Sequence, residues 1–288
     1  MMKVIVTGAK GLLGSDVMDA LKRRGHQAVG LDIEELDITK RDMVLERFEE
    51  EKPDAVIHCA AWTAVDAAEE EANREICHRI NVGGTRFVAE ACRAVGAKML
   101  YLSTDYVFDG QGTRPWEPDD PVSVPLNYYG LTKYEGEQAI VENIRNYFIV
   151  RIAWVFGVNG KNFVRTMVTL GKSHDRLTVV NDQIGTPTFT YDLARLLVDM
   201  IETDKYGYYH VTNEGDYISW YDYACEIFRQ TGQEVSVVPV SSAEYGAQAV
   251  RPFNSRMNRS RIIERGFTPL PDWKDALRRY LEQTKNEL

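Results

Sequence analysis

The fold is decided by Thr7-Gly8-Ala9-Lys10-Gly11-Leu12-Leu13-Gly14, which follows the apolar run Met1 to Val6 and precedes a helical pattern through Leu21. A strand, a glycine-rich turn and a helix in this order are typical of the start of a nucleotide-binding unit. Gly8, Gly11 and Gly14 let the backbone turn tightly and approach a pyrophosphate. A plain tight turn would also explain these glycines, so the neighbouring sequence has to decide.

The next two strands favour a dinucleotide site. Ala28-Val29-Gly30-Leu31 ends at Asp32, in a position where an acidic side chain commonly receives ribose hydroxyls. Asp37 is predicted to open the following connection, where a capping role is the simpler interpretation. Residues 53–61 predict a third strand that ends in Ala60 and Ala61, against which a cofactor can lie.

Strands and helices alternate through the first half of the chain. Residues 98–102 and 147–152 read as strands, residues 67–94 and 128–144 as helices, and residues 110–127 as an exposed loop able to act as a lid. This alternation predicts an α/β fold, a doubly wound parallel sheet of the Rossmann type.

Beyond Trp154 the pattern is less regular and predicts a smaller substrate-binding lobe. We expect a dinucleotide-binding domain over 1–152, joined by 186–213, because 207–211 reads as a strand able to return to the main sheet. The substrate lobe would then comprise 153–185 and 214–288. Within it, 273–288 is predicted to be a solvated closing helix.

Tyr129 and Lys133 are the first catalytic candidates. They are four residues apart on a predicted helix, so they project from the same face and can act on one ligand. Such a pair also occurs by coincidence on many surface helices. The catalytic interpretation is favoured by the glycine turn and by Thr104, which is predicted to lie at the carboxyl end of a parallel strand, where ligands bind.

Composition excludes several classes of function. The net charge of −9 over 288 residues argues against binding to DNA, RNA or anionic lipid, which needs clustered Lys and Arg. Apolar runs stay well short of the roughly 20 residues of a membrane span. We therefore predict a cytoplasmic protein with no nucleic-acid or membrane partner. A monomer and a homodimer are both left open by the sequence.

Cysteine and histidine spacing predicts no metal site. The four cysteines form no CxxC pair, and the five histidines form no HxH or HExxH motif. Buried free thiols in a reducing compartment are the expected state of the cysteines.

The motifs resemble the extended short-chain dehydrogenase/reductase family through the glycine turn and Tyr129-Gly130-Leu131-Thr132-Lys133. Longer blocks resemble the dTDP-4-dehydrorhamnose reductases within it. These blocks extend over most of the chain: Ala60-Ala61-Trp62-Thr63-Ala64-Val65-Asp66, Ser103-Thr104-Asp105-Tyr106-Val107-Phe108-Asp109-Gly110, Arg151-Ile152-Ala153-Trp154-Val155-Phe156-Gly157, Asp182-Gln183-Ile184-Gly185-Thr186-Pro187-Thr188 and Arg251-Pro252-Phe253-Asn254-Ser255.

The resemblance implies reduction of the C4 keto group of dTDP-4-dehydro-L-rhamnose to dTDP-L-rhamnose, a step in cell-envelope polysaccharide synthesis. Tyr129 would protonate the C4 oxygen while NAD(P)H delivers hydride to C4. Thr104 would hydrogen-bond the same oxygen. Lys133 would bind the nicotinamide ribose and favour a lowered pKa of Tyr129.

Further site residues follow from the resemblance. The cofactor would be bound by Gly8, Lys10, Gly11, Leu12, Leu13, Gly14, Asp32, Asp37, Ile38, Ala60, Ala61, Thr63, Tyr129 and Lys133. The substrate would be bound by Val65, Thr104, Tyr106, Tyr129, Trp154, Asn162, Arg251 and Asn254. For Trp154 burial in the core is the alternative, and for Arg251 and Asn254 a structural role.

Cofactor choice and function each leave an alternative open. Asp32 favours NADH because a carboxylate repels a 2'-phosphate, whereas Lys10 in the turn favours NADPH, so we predict NADPH with NADH possible. A nucleotide-sugar epimerase or dehydratase of the same family shares the turn and the Tyr-Lys pair. A non-catalytic subunit resembling the regulatory subunit of methionine adenosyltransferase is the third possibility, although Thr104, Tyr129 and Lys133 are all retained.

Overall fold

Parallel strands form the main sheet of the computed structural model, which describes residues 1–287. In chain order the strands are β1 Lys3–Thr7, β2 Gln27–Leu31, β3 Ala55–His58, β4 Lys98–Thr104, β5 Tyr147–Ile152, β6 Val155–Phe156, β7 Arg176–Val180, β8 Ile184–Gly185, β9 Thr188–Phe189, β10 Gly207–Val211, β11 Ile218–Ser219 and β12 Ser236–Val240. The helices are α1 Leu12–Arg23, α2 Arg41–Glu51, α3 Val65–Ala68, α4 Glu71–His78, α5 Thr85–Val95, α6 Tyr128–Asn143, α7 Phe163–Gly171, α8 Thr190–Ile201, α9 Trp220–Thr231, α10 Ser242–Tyr245, α11 Ser260–Glu264 and α12 Trp273–Gln283.

The main sheet confirms the doubly wound prediction. Over residues 1–287 its six strands lie in the order β10-β5-β4-β3-β1-β2, and every neighbouring pair is parallel. The chain goes from β1 to β2 on one side and then to β3 on the other. This reversal opens a crevice at the carboxyl ends of β1 and β3, which is where open α/β sheets bind ligands.

Both faces of the sheet are covered, which is why its strands are continuous apolar runs rather than alternating ones. Val4 and Val6 of β1 pack into a core with α1 and α8, whereas Ile5 packs into a second core with α2 and α5. Strand β10 pairs with β5 over its whole length, so the predicted return of 207–211 to the main sheet is confirmed.

The helix predicted over 67–94 is interrupted. It consists of α3, α4, a turn of π-helix at Arg79–Gly84, and α5. Gly84 packs closely on Ile38 at this point, because a Cβ there would come within 2.7 Å of Ile38 Cδ1 and the isoleucine side chain would have to move. Helix α2 was not predicted, since Val44 and Phe48 alone form its buried face and give only a weak periodic signal.

A third core lies under the irregular part of the chain. It draws Phe156, Tyr223, Trp273 and Tyr280 together with side chains of α7 and α9, beside the parallel pair β7 and β12. The prediction of a solvated closing helix is therefore wrong for α12, whose Trp273 is 2% exposed and whose Tyr280 is fully buried. Among the helices of residues 1–287, none has the length and apolar character needed to span a bilayer.

Candidate active site

The glycine turn brings bare backbone to the crevice. Gly8 has φ +64°, and a Cβ at this position would lie 2.8 Å from Ala60 N. A Cβ at Gly14 would lie 2.1 Å from Gly8 O, so only glycine lets α1 start this close to β1. Helix α1 then points its free N-terminal amides at the crevice, and amides in this arrangement suit a pyrophosphate. The turn therefore fits a dinucleotide cofactor.

The end of β2 provides an acidic rim. Asp32 accepts hydrogen bonds from Lys10 N, at 3.0 Å, and from Ile33 N, at 2.9 Å, so its carboxylate is held in place by backbone amides. Asp37 lines the same cleft and accepts from Thr39 N and Oγ1 at 3.0 and 2.7 Å. The carboxylates of both residues suit the hydroxyls of a ribose.

Three catalytic candidates converge on the cleft from β4 and α6. Thr104 ends β4, and Tyr129 and Lys133 lie on the first turns of α6. Asn127 caps α6 by accepting from Gly130 N at 2.8 Å. Gly130 packs so closely on the segment after Thr104 that a Cβ would come within 2.2 Å of Tyr106 O. The glycine of the Tyr-Gly-Leu-Thr-Lys motif thus sets the spacing between Thr104 and Tyr129.

Lys133 is buried at the base of this group. Lys133 is 3% exposed, and its Nζ lies 4.1 Å from the ring centroid of Tyr101. Burial lowers the pKa of Lys133 from 10.5 to about 7, against the charge of Glu137, which favours the cation. The ammonium group is therefore poised between its two protonation states at neutral pH.

The pKa of Tyr129 corrects one expectation. Burial raises it above the ordinary value of 10.0, and the charge of Asp105 raises it further. Burial and Asp105 therefore outweigh the lowering of this pKa that the resemblance implies for Lys133. A raised pKa keeps the phenol protonated at neutral pH, which is the state required of a proton donor.

Thr104 is already engaged in a hydrogen bond. Its hydroxyl donates to Asp105 Oδ1 at 2.9 Å and accepts from Tyr106 N at 3.2 Å. Asp105 is buried, and burial raises the pKa of its carboxyl to about 6. Asp105 therefore orients the Thr104 hydroxyl before any ligand arrives.

Trp154 closes the far end of the cleft. It lines the cleft with φ +51°, a strained conformation for a non-glycine residue, and stacks on Trp220 at 3.8 Å between ring centroids. Gly185 makes room for the indole, since a Cβ there would come within 2.9 Å of Trp154 Cε2. This aromatic pair forms an apolar wall next to the catalytic group.

The whole cleft has a volume of about 860 Å³ and passes from the turn to this wall. The predicted site residues that line it are Gly8, Gly11, Leu12, Leu13, Gly14, Asp32, Asp37, Ile38, Ala60, Ala61, Thr63, Val65, Thr104, Tyr106, Tyr129, Lys133 and Trp154. Its size and length suit a dinucleotide together with a second elongated ligand.

Comparison with known proteins fits this geometry. The model of the RmlD substrate binding domain matches residues 2–286. The chain belongs to the RmlD family. A dTDP-4-dehydrorhamnose reductase from Streptomyces griseus is 42% identical over 280 residues, which cover 95% of this chain and 91% of that protein. A dTDP-4-keto-6-deoxy-D-glucose reductase from Streptomyces niveus is 38% identical over 275 residues, covering 95% and 94% of the two chains.

A solved member of the RmlD family has the same fold. The dTDP-4-dehydrorhamnose reductase from Bacillus anthracis, crystallised in complex with NADP, superposes with a TM-score of 0.94 at 41% identity, covering 98% of this chain and 99% of that one. A relative that is 41% identical to this chain therefore binds NADP on the same scaffold.

Three predicted substrate residues of this RmlD-family chain do not line the cleft: Asn162, Asn254 and Arg251. Asn162 caps α7 by accepting from Arg165 N, and its amide donates to Gly157 O at 2.8 Å. Asn254 is 1% exposed, and its amide donates to Gln111 O and Arg114 O. Both asparagine side chains hold neighbouring backbone in place. This geometry supports the structural alternative for Asn254 and indicates the same role for Asn162, which was predicted only to contact substrate.

Arg251 and Lys10 are held near the cleft by carboxylates. Arg251 Nη2 lies 2.7 Å from Asp66 Oδ2. Asp66 directly follows Val65, which lines the cleft. Lys10 Nζ bridges Glu34 and Glu35 at 2.7 and 2.9 Å. Each cation would have to leave its present partners to bind a phosphate.

Sequence reasoning missed some lining residues of the RmlD-family cleft. Trp220, Lys161 and Arg79 all line it. Trp220 follows the predicted strand 207–211 by nine positions, and only the fold brings it against Trp154. Lys161 lies in the irregular stretch beyond Trp154, and its positive charge was the available signal that it could face an anionic ligand.

Proposed function

We propose that this chain reduces the C4 keto group of dTDP-4-dehydro-L-rhamnose to dTDP-L-rhamnose with NADPH, and that it accepts NADH. The observation that carries the proposal is the convergence of Thr104, Tyr129 and Lys133 on the cleft that starts at the glycine turn. The relatives named for this activity support it, because they match the chain over nearly its full length. The nucleotide sugar would occupy the part of the cleft beyond Tyr129.

The proton comes from Tyr129. The bound nicotinamide would supply the hydride that forms the new C–H bond at C4. The phenol O–H of Tyr129 gives its proton to the C4 oxygen, so that the C=O bond becomes an alcohol and no alkoxide accumulates. Because its pKa is raised, the side chain starts this step protonated. A nearby ammonium then stabilises the phenolate that remains.

Lys133 and Thr104 would prepare this transfer. The Lys133 ammonium, at the base of the cleft, supplies the positive charge that the phenolate needs and a donor for the nicotinamide ribose. Thr104 would donate to the C4 oxygen after its hydroxyl rotates away from Asp105. This rotation changes one hydrogen bond and no backbone torsion, so it needs no rearrangement of the site.

The remaining contacts would recognise the nucleotide sugar. Trp154 and Tyr106 offer aromatic faces to the sugar, with Val65 beside them. Arg251 and Lys161 are the cations available to a diphosphate, once Arg251 exchanges Asp66 for phosphate oxygens. Asp32, Asp37 and Ile38 would hold the adenosine half of the cofactor at the opposite end.

A different stereochemistry at the sugar is the second candidate. The Streptomyces niveus relative is named for a 4-keto-6-deoxy-D-glucose rather than a rhamnose precursor. An epimerase or dehydratase would instead return the hydride and leave the cofactor unconsumed. Product identity separates the two reductions, and net oxidation of one NADPH for each sugar converted separates reduction from epimerisation or dehydration.

The decisive experiment uses the purified chain with dTDP-4-dehydro-L-rhamnose and each reduced nicotinamide. We expect stoichiometric NADPH oxidation and dTDP-L-rhamnose as the product. Tyr129→Phe should lower kcat by about 10²- to 10⁴-fold and leave the Kd for NADPH within about twofold, because only a hydroxyl is lost. Turnover without net NADPH oxidation would reject the reductase. Tight binding of a synthetase with no turnover would support a regulatory subunit.

The division of labour in the chain is also part of the proposal. Residues 1–152 with 186–213 would bind the cofactor, and 153–185 with 214–288 would hold the sugar nucleotide. The pairing of β7 with β12, which joins the two sequence segments of the second part, supports this division. We also propose that the enzyme acts in the cytoplasm as a monomer or homodimer, which sedimentation of the purified protein would test.

A further inference from the structure

A salt bridge at the rim of the cleft is unexplained by the catalytic site. The ammonium of Lys10, within the glycine turn, lies 2.7 Å from Glu34 Oε2 and 2.9 Å from Glu35 Oε1. The two carboxylates raise the pKa of Lys10 above its ordinary value. All three side chains are well exposed, so the packing of the core does not require the bridge.

The bridge lies beside Asp32, the residue predicted to bind the cofactor ribose. Lys10 N donates to Asp32 Oδ2 at 3.0 Å, and Asp32 N donates to Glu35 Oε2 at 3.0 Å. Asp32 itself lines the cleft, whereas the Lys10 side chain is turned outward to the glutamates. The Lys10 ammonium is thus on the residue whose backbone amide holds Asp32, and the two glutamates already neutralise its charge.

We infer that Glu34 and Glu35 compete with the 2'-phosphate of NADPH for the Lys10 ammonium, and that this competition sets how strongly the chain distinguishes NADPH from NADH. The inference rests on the proposed use of a nicotinamide dinucleotide. It adds two residues, neither of which lines the cleft, to the determinants of cofactor specificity.

The charges at this rim decide the direction of the effect. Lys10 contributes one positive charge, and Asp32, Glu34 and Glu35 contribute three negative charges, so the group carries a net charge of −2. A 2'-phosphate brings further negative charge and gains the ammonium only if the glutamates release it. NADH brings no such group and leaves the bridge intact. Removing a glutamate therefore favours NADPH selectively.

Glu34 is the cleaner residue to change. Its side chain is 67% exposed and bonded to Lys10, whereas Glu35 also accepts from Asp32 N and helps to hold the loop. Glu49→Gln is a matched control, because Glu49, on the last turn of α2, forms an exposed salt bridge with Lys52 at 3.5 Å. Loss of general negative charge is the same in both variants.

The experiment measures Kd for two probes, adenosine 2',5'-bisphosphate and AMP, by calorimetry on the full chain. We expect Glu34→Gln to tighten the bisphosphate by about two- to fivefold and to leave AMP unchanged, with the gain shrinking as salt rises. Glu49→Gln should change neither. The kcat/KM ratio of NADPH to NADH should rise by a similar factor in Glu34→Gln alone.

Lys10→Met tests whether the glutamates act through the lysine. In that background, Glu34→Gln should lose most of its effect, as a double-mutant cycle requires of coupled groups. An unchanged ratio of the two probes in Glu34→Gln overturns the inference. So does an equal gain in the Lys10→Met background, which would show simple repulsion. The proposed function fails separately, if the wild-type chain oxidises neither NADPH nor NADH with the sugar substrate.

Discussion

Glu137 and Arg151 form a buried ion pair directly beneath the catalytic side chains. Arg151 Nη2 lies 2.7 Å from Glu137 Oε2, and the two side chains are 3% and 0% exposed. Ser103, next to Thr104, donates its hydroxyl to the same carboxylate. Glu137 therefore ties α6, which carries Tyr129 and Lys133, to the ends of β4 and β5.

Breaking this pair should be costly. Glu137→Gln leaves a buried guanidinium without its counterion, so we expect a loss of about 3–5 kcal/mol in the free energy of unfolding. Glu137→Gln combined with Arg151→Met removes both charges and should recover much of the loss. Urea unfolding followed by circular dichroism measures both. A single variant as stable as the wild type would show that the pair is solvated in solution.

Burial of Lys133 should lower the free energy of unfolding of the protein. Its pKa is about 7 in the folded chain and 10.5 as an ordinary lysine, so between these values the unfolded chain binds the additional proton. Wild-type stability therefore rises with pH from about 7 toward 10.5, and the cost of burying the cation is greatest at or below pH 7.

Lys133→Met removes this cost. Without cofactor, we expect the variant to exceed the wild type in unfolding free energy by on the order of a few kcal/mol at pH 6.5, and by less at pH 9.5. Turnover should fall sharply at both values. Chemical denaturation at the two pH values checks the trend, and a stability difference independent of pH would contradict the lowered pKa.

Asp105 should tune the proton donor. Its charge is one cause of the raised pKa of Tyr129, after burial. Asp105→Asn keeps an acceptor for the Thr104 hydroxyl but removes this charge, so the basic limb of the kcat profile should move to lower pH. Asp105→Glu, which retains the charge, is the control. If both variants leave the limb in place, Asp105 acts only by orienting Thr104.

The aromatic wall should matter for the sugar and not for the cofactor. Trp220→Ala removes the stacking partner of Trp154, an interaction worth about 0.5–1.5 kcal/mol beyond area burial. We expect the KM for the nucleotide sugar to rise several-fold while the Kd for NADPH stays constant. Trp220→Phe, which keeps an aromatic face, should fall between. A matching loss of NADPH affinity would argue for general unfolding of this region.

Local sequence patterns predicted the first half of the molecule well. The runs around Val4, Val56 and Leu100 are buried on both sides, and such strands have a strong apolar signature. The second part was predicted only as a lobe. Its core joins Phe156 to Tyr280 across a long stretch of chain, and no local period encodes a contact of this kind.

The site followed the same division. Short motifs contain Gly8, Gly14 and the Tyr129–Lys133 pair, and all four residues line the cleft. Asn254 was carried over from a longer block, and Asn162 from the resemblance without a block of its own. In such a transfer, residues that hold a loop and residues that contact a ligand look alike. The salt bridges of Lys10 could not be predicted from the sequence around it, because Glu34 and Glu35 are more than 20 positions away along the chain.

The placement of β10 at the edge of the main sheet has a consequence for how the chain is made. Strand β5 ends at Ile152, but its neighbour β10 is complete only at Val211. A ribosome-bound chain therefore carries an open edge at β5 while the intervening residues are synthesised. Such edges can pair with other chains. The interval between Ile152 and Val211 should be the stage of synthesis at which this protein most needs chaperone protection.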